Sequence, residues 1–307
     1  MDISEFGAGS AYLDQNSSLQ DEIGRKISEA YRAGFEFVYF DGSEGTNAPF
    51  EFHVPNAQYR VYKMLESVPL YCEGAAKAHF SWHFLSGGNA FDVFPPEVFK
   101  KKIDQFPAEE APRMRQDFTR LNFGWWGYWA PGTQPDMIEY GTSRAAAWDC
   151  PVTITTTLDQ YRAHPRTPDN LEVMRRWEDA RAKNWLSDAQ KETLRELGKE
   201  HILIINEQGE YELLPYEQID APEGVRAFIF ERNSSRCVVY WHESGEGMLK
   251  IGLQKEDFTL RDDFAKPYLE TAHEEAASIL PVSSRRYLIS TLSKEKLTAA
   301  FKNAQLV

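Results

Sequence analysis

Two carboxylates follow a short apolar run in the first part of the chain. Residues 37–40 read FVYF, a run too short for a helix, and Asp41 and Glu44 come directly after it in a loop that contains two glycines. In parallel α/β folds, a buried strand that ends in acidic residues places catalytic carboxylates at the mouth of the sheet. The pattern therefore predicts a buried strand with reactive carboxylates at its C-terminal end.

The same pattern recurs at residues 68–74, where an apolar run ends in Glu73 and a glycine. Neighbouring parallel strands lie about 4.8 Å apart. Acids at adjacent strand ends could therefore reach the separation of about 5–5.5 Å found in retaining glycosidases, whereas an intervening strand would suit the wider inverting gap. In the alternative interpretation Asp41 only caps its own turn and Glu73 forms an ion pair with Lys77.

This pairing predicts hydrolysis of a glycosidic bond, which needs one carboxylic acid to protonate the leaving oxygen and one ionised carboxylate. We assign Asp41 as nucleophile or charge stabiliser and Glu73 as general acid/base. Glu44 is the alternative acid.

Histidines and aromatic residues follow Glu73 in the sequence. We expect His79, Trp82 and His83 to contact substrate hydroxyls and sugar faces. The two histidines have the spacing of helical metal ligands, but the sequence offers no evident third ligand and no His-Glu-x-x-His pattern. No metal is expected, and the alternative for this segment is an ordinary aromatic-rich loop.

A third predicted strand, residues 122–129, carries Trp125 and Trp126, and tryptophan stacks well on the C–H faces of sugars. Alternate strand residues face opposite sides, so one of these two tryptophans is expected to contact substrate and the other to pack in the core. Asp149, beside the fourth strand, is a further candidate substrate contact or a surface ion pair of small energetic value. Glu139 is expected at a solvated helix position.

Composition excludes several function classes. The formal charge of −13 argues against sequence-independent nucleic-acid binding, which needs a basic face. No apolar stretch reaches the length of a membrane helix. The absence of a nucleotide-binding glycine motif argues against nucleotide chemistry, and the absence of a Gly-x-Ser-x-Gly elbow argues against an α/β-hydrolase esterase. No organic cofactor is expected. The three cysteines are widely spaced, and we expect them to be buried thiols.

The sequence pattern changes near residue 198. Residues 1–198 alternate between helical patterns and short apolar strands, whereas residues 199–307 show short strands separated by turns and then a terminal helix. We predict an α/β fold, a partial or complete (β/α) barrel, followed by a small antiparallel β-sandwich-like domain. The four predicted strand–helix units do not close an eight-stranded barrel. The first domain is therefore either the C-terminal half of a barrel, needing its other half, a second copy or rearrangement, or an open sheet.

Residues 34–42 (GFEFVYFDG), a helix before them and a following strand that ends in Glu73 resemble (β/α)8-barrel glycoside hydrolases of the α-L-fucosidase and α-galactosidase type and their poorly described relatives. The resemblance implies a nucleophilic Asp at a mid-barrel strand end, which is Asp41 here, and an acid/base from a later strand or loop. It also implies a β-rich domain after the barrel. The first half of such a barrel is not identifiable in this sequence.

The sequence thus predicts a glycosidase acting on an oligosaccharide or glycoside, without nucleic-acid or membrane partners, either homo-oligomeric or completed by a missing N-terminal half. The alternative is a non-catalytic carbohydrate-binding or interaction protein derived from a barrel fragment. No signal peptide is evident at the N-terminus, and a secreted or periplasmic location would require that the chain be truncated there.

Overall fold

A computed structural model describes most of the chain, which divides into two compact units. The described residues are 16–42, 46–48, 50–75, 80–89, 96–116, 119–126, 129–130, 132–154, 156–274 and 277–307. The first unit lies within Met1–Asp92 and Phe106–Gly124, and the second within Val93–Gln105 and Trp125–Val307. The predicted domain boundary after residue 198 falls inside the second unit and stays a prediction.

Helices alternate with short strands through the first two thirds of the chain. In chain order these elements are α1 (Ser18–Tyr31), β1 (Phe37–Phe40), α2 (His53–Met64), β2 (Tyr71–Gly74), β3 (Gly87–Asn89), α3 (Pro96–Gln116), β4 (Arg120–Trp126), α4 (Pro135–Ala147), β5 (Val152–Ile154), α5 (Leu158–Ala163), α6 (Thr167–Ala182) and α7 (Asp188–Leu194). Strands β1 to β5 form one sheet in chain order, and the pairs β1–β2, β2–β3 and β3–β4 are parallel. This is the expected partial (β/α) barrel sheet.

One face of the sheet in the first unit packs against helix α2 and the segment that follows β2. Val38 and Phe40 of β1 contact a cluster around the buried Cys72, Phe84 and Leu85. Because side chains alternate along a strand, residues next to these point to the other face. Tyr39 and Glu73, which are direct partners in the β1–β2 register, therefore share that second face.

Strand β3 is absent from the sequence prediction, which counted the strand at 122–129 as the third. Its residues are Gly87, Gly88 and Asn89, and both residue types are rare in β-strands. Glycine has no side chain to pack and loses much backbone entropy when a strand forms. The predicted third strand is β4, and within the described residues the sheet has five strands, whereas four were predicted.

The remaining strands form antiparallel sheets in the second unit. They are β6 (His201–Ile205), β7 (Tyr211–Pro215), β8 (Glu217–Ile219), β9 (Val225–Arg232), β10 (Ser235–His242), β11 (Met248–Ile251), β12 (Phe258–Arg261), β13 (Tyr268–Leu269), β14 (Ala272–Glu274), β15 (Ala277–Pro281), β16 (Arg286–Ser290) and β17 (Gln305–Leu306), with helix α8 (Lys294–Lys302) before the last. A six-stranded sheet has the order β13-β12-β16-β10-β9-β8, a four-stranded sheet the order β14-β15-β11-β17, and β6 pairs with β7.

The six-stranded sheet is buried on both faces. Ala227 and Ile229 of β9 join a core with Leu249, Leu280 and other residues of the four-stranded sheet and α8. Phe228 and Phe230, on the opposite face of β9, belong to a second core that includes residues of β6. The two cores explain why β9 and β10 read as continuous apolar runs, and the arrangement confirms the expected antiparallel, sandwich-like part.

The burial of the cysteines and the hydrophobicity of the helices complete the description of the fold. Cys72, Cys150 and Cys237 are all buried and free, as predicted. No helix in the described part of the chain is long and apolar enough to cross a membrane.

Candidate active site at the ends of β1 and β2

Glu73 is a buried carboxylate near the C-terminal end of β2. Its side chain is 0% exposed, and its Oε1 accepts a hydrogen bond of 2.6 Å from Nδ2 of Asn122 on β4, which is 1% exposed. Its Oε2 is also buried and has no hydrogen-bond partner among the residues that the structure describes. A buried polar atom without a partner costs free energy, so it calls for a chemical explanation.

Gly87 of β3 lies between the strands that carry Glu73 and Asn122. It pairs with Glu73 on one side and with Arg120 on the other, and Asn122 lies two residues beyond Arg120 on the same face. A Cβ added at Gly87 would overlap the hydroxyl oxygen of Tyr71 and lie 2.9 Å from the carbonyl oxygen of Arg120. Because Gly87 has no side chain, the Tyr71 hydroxyl can occupy the position that a Cβ would fill.

The surroundings of Glu73 favour its neutral form. Burial raises the pKa of the Glu73 carboxyl above its ordinary value, while the side chains of Asn122 and Tyr71 act in the opposite direction. Burial and the adjacent Glu73 raise the pKa of the Cys72 thiol to about 12, so this cysteine stays a thiol and is a poor nucleophile.

Asp41 directly follows β1 and is exposed to solvent. Its Oδ1 accepts a hydrogen bond of 2.9 Å from the backbone N–H of Gly42, which adopts a positive φ of 78°. Asp41 lies two positions after Tyr39, the register partner of Glu73. From the strand spacing and rise, the Cα atoms of Asp41 and Glu73 are about 8 Å apart.

Aromatic rings lie near the ends of β1 and β2, and those of Phe37 and Tyr71 share the face of Glu73. Phe37 and Tyr71, which are register partners, stack with ring centroids 5.8 Å apart, and Phe37 is 41% exposed. Trp82 and His83 lie in a short 3₁₀ helix that follows β2 along the chain, and their rings stack at 3.8 Å. Trp82 is 47% exposed, so it offers an accessible aromatic surface.

The other predicted site residues have different placements. Glu44 and His79 lie outside the described residues, and Trp125 and Trp126 form the end of β4. Asp149 follows α4 with a φ of 55° and lies 3.7 Å from the Arg181 guanidinium. It therefore precedes β5, at the strand end opposite to the one where catalytic carboxylates are expected, and its assignment as a substrate contact stays a prediction without support from this placement.

Asn122 and Tyr71 are the contributors that sequence reasoning missed. Asn122 opens the aromatic run of the predicted third strand, and Tyr71 precedes Glu73 by two residues. The alternation of strand side chains could have placed Tyr71 with Glu73. The partnership with Asn122 depends on β3, which no sequence pattern reveals.

Chemically, the described residues combine a buried carboxyl of raised pKa with an exposed carboxylate at neighbouring strand ends. A carboxyl whose neutral form is favoured by burial can donate a proton to a reacting group. Among the described residues no group of three His, Cys, Asp or Glu side chains could hold a metal ion.

Comparison with known proteins gives distant likenesses only. No protein family and no curated protein matches the sequence. Among solved structures, the α-amylase from H. orenii shares 10% identity at a TM-score of 0.37, over 92% of this chain and 66% of that one. Eubacterium rectale Amy13B shares 10% identity at a TM-score of 0.32, over 91% and 64%. The Geobacillus thermoleovorans α-amylase complexed with acarbose shares 8% at 0.32, over 95% and 73%.

These likenesses are too weak to carry an argument about this chain, which spans slightly less than two thirds of the length of the first two structures. The description of the fold therefore rests on the chain's own strands and register. Two of the three structures are described as α-amylases and none as an α-L-fucosidase or α-galactosidase, so the finer part of the family resemblance gains no support from them.

Proposed function

We propose that this chain hydrolyses glycosidic bonds, with Glu73 as the general acid and Asp41 as the ionised carboxylate. The observation that carries the proposal is the buried Oε2 of Glu73, which lacks a partner among the described residues, on a carboxyl whose pKa is raised by burial. A general acid needs a proton held on such an oxygen until substrate arrives.

In the proposed reaction Glu73 gives its proton to the glycosidic oxygen as the bond to the anomeric carbon breaks. The carboxylate of Asp41 stabilises the positive charge that develops on the sugar, either as nucleophile or as the base that activates water. Water supplies the hydroxyl of the hydrolysed sugar, and its remaining proton returns to a carboxylate. Asn122, bonded to Oε1 of Glu73, would hold the acid so that Oε2 faces the leaving oxygen.

The spacing of the two carboxyl groups decides the stereochemical course. The backbone estimate of about 8 Å between the Cα atoms leaves side-chain direction to set the final separation. Separations of about 5–5.5 Å belong to retaining enzymes, and about 6.5–9.5 Å to inverting enzymes. The anomer of the first product, followed by NMR, distinguishes the two.

The test is turnover of a panel of aryl α- and β-glycosides by the purified chain, alongside Asp41→Asn and Glu73→Gln. Glu66→Gln is the matched control, because Glu66 is an exposed carboxylate of the same unit paired with Arg32 at 3.1 Å. We expect both site variants to lower kcat by at least about 100-fold, the scale of lost acid–base catalysis, and the control to keep parental activity.

Azide rescue separates the roles in a retaining enzyme. A small anion can replace a missing carboxylate nucleophile, so azide should restore turnover to Asp41→Asn if Asp41 is the nucleophile. A folded parent that turns over none of the glycosides, or two site variants with parental activity, would contradict the proposal. The first result together with measurable sugar binding would favour the non-catalytic carbohydrate-binding alternative.

A further inference from the structure

A groove in the second unit runs along one end of the β6–β7 hairpin. Its volume is about 1050 Å³, and its walls include the start of β6, the end of β7, and parts of β8 and β9. Pockets that bind small organic ligands usually have volumes of roughly 300–1,000 Å³. The groove is therefore large enough for an extended ligand.

Four residues of this groove each carry a buried polar atom without a hydrogen-bond partner within the described ranges. These atoms are Oε2 of Glu200, Nδ1 of His201, the hydroxyl of Tyr216 and Nε of Arg236. His201 is 6% exposed. The other oxygen of Glu200 accepts a hydrogen bond of 2.7 Å from Nζ of Lys100, which fixes the carboxylate. Unmet hydrogen-bonding capacity is costly in a buried place, and a bound ligand would supply it.

The backbone holds Glu200 and His201 in place. His201 is the first residue of β6 and pairs with Pro215, and the backbone N–H of Tyr216 donates to the carbonyl oxygen of Glu200 at 3.1 Å. Glu200 and His201 thus sit on a paired strand end rather than on a free loop. A site on a strand end is pre-organised, which reduces the entropy lost on binding.

The charges of the walls favour a neutral ligand. Lys294 forms an ion pair with Glu217, and Arg236 lies 3.4 Å from Glu231, so these two cations of the groove already have carboxylate partners. The remaining oxygen of Glu200 would repel an anion. A metal ion lacks a suitable set of ligands among the described residues.

The polar atoms without hydrogen-bond partners are suited to binding hydroxyl groups of a ligand. A carboxylate oxygen accepts hydrogen bonds only, whereas a neutral imidazole has one donor and one acceptor nitrogen. Burial, Arg144 and Lys199 lower the pKa of His201, which favours the neutral ring. A hydroxyl can donate to Glu200 and exchange either kind of bond with His201, and Leu213 and Pro215 add apolar wall for C–H faces.

We propose that this groove is a binding site for a neutral oligosaccharide, with Glu200 and His201 as its hydroxyl-binding residues. The site lies wholly within the second unit and involves neither Asp41 nor Glu73. It does not depend on the proposed hydrolysis.

The test is isothermal titration of the purified chain with maltohexaose, cellohexaose and xylohexaose, and with a neutral Gly/Ser hexapeptide. Two variants address the groove. His201→Ala removes a hydroxyl-binding ring, and Gln218→Trp fills the groove from an exposed position of β8. Gln208→Trp is the matched control, because Gln208 is exposed in the turn at the far end of the same hairpin.

We expect at least one hexasaccharide to bind, both groove variants to weaken its affinity at least ten-fold, and Gln208→Trp to bind as the parent does. No binding of any hexasaccharide, or equal binding by parent and Gln218→Trp, would overturn the proposal. Preference for the hexapeptide would overturn the sugar assignment. Gln218→Trp keeps the test valid if His201→Ala does not fold.

Discussion

Asn122 Nδ2 lies 2.6 Å from Glu73 Oε1, and this bond joins β2 to β4 across the intervening β3. Both side chains are almost completely buried. The strand between them contributes Gly87, which pairs with Glu73. A carboxyl group is thereby fixed on a face of the sheet where its second oxygen remains unpaired with any described residue.

The first prediction concerns the loss of this bond. Asn122→Ala removes the 2.6 Å hydrogen bond to the buried Oε1 of Glu73, so we expect the free energy of unfolding to fall by about 1–3 kcal/mol. Urea denaturation measures it. Asn56→Ala is the control, because Asn56 is exposed on α2 and its loss should change stability by less than about 0.5 kcal/mol. Equal stabilities of Asn122→Ala and the parent would show that the bond contributes nothing.

The second prediction concerns the space at Gly87. Gly87→Ala introduces a methyl group that overlaps the Tyr71 hydroxyl and crowds the Arg120 carbonyl, so we expect destabilisation of about 1–3 kcal/mol. Tyr71→Phe removes one of these overlaps, and the double variant should therefore lose less stability than the sum of the single variants.

Gly252→Ala provides the control for this cycle. Nothing lies within 4 Å of a Cβ added at Gly252, so its substitution should be close to neutral. Strict additivity of Gly87→Ala and Tyr71→Phe, measured by chemical denaturation, would contradict the proposed role of Gly87 in making room for Tyr71.

The third prediction is a pH dependence of stability. An unfolded Glu carboxyl has a pKa of about 4.3, and burial raises the pKa of Glu73 in the folded chain. Between these two values the unfolded state releases a proton that the folded state keeps. The contribution of Glu73 to the free energy of unfolding therefore declines with rising pH, by at most about 1.4 kcal/mol per pH unit, and levels off above the folded pKa.

Glu73→Gln has no proton to release, so its stability relative to the parent should improve as the pH rises above about 4.3. Denaturation of both proteins from pH 4 to pH 8 measures the difference. A constant difference between Glu73→Gln and parent would contradict the raised pKa.

Much of the fold was predictable from the sequence, because its signals are local. The alternation of apolar strands and amphipathic helices predicted β1, β2 and the helices before them, and the pattern Ser187-x-x-Gln190 correctly marked the start of α7 as a capping box. The antiparallel strands after residue 200 were predicted by their β-branched and aromatic content.

The remaining features depend on tertiary contacts. A strand of Gly87, Gly88 and Asn89 exists only because neighbouring strands supply its hydrogen bonds, so its own residues do not signal it. The carboxyl of Glu73 could be predicted at a strand end, but its bond to Asn122 could not, since that bond crosses the unrecognised β3. The prediction of a solvated Glu139 was wrong for the same reason, because its partners come from distant segments.

The last prediction concerns Glu139, which is 0% exposed on α4. Its Oε1 accepts hydrogen bonds from Nε1 of Trp177 at 2.7 Å and from the backbone N–H of Leu203 at 3.0 Å, and its Oε2 accepts one from Arg285 at 2.9 Å. The carboxylate thus links α4, α6, β6 and the segment before β16 within the second unit. Removing the Arg285 cation leaves a buried negative charge without its closest partner.

We therefore expect Arg285→Met to lower the free energy of unfolding by about 3–5 kcal/mol, the usual cost of breaking a buried ion pair from one side. The double variant Glu139→Gln, Arg285→Met should recover part of this loss, because it removes the uncompensated charge. Glu192→Gln is the control, since Glu192 is 72% exposed and its pair with Arg195 is a surface contact. If the double variant is less stable than Arg285→Met by the full cost of Glu139→Gln alone, the two residues are uncoupled, and the stability of the second unit does not depend on their pairing.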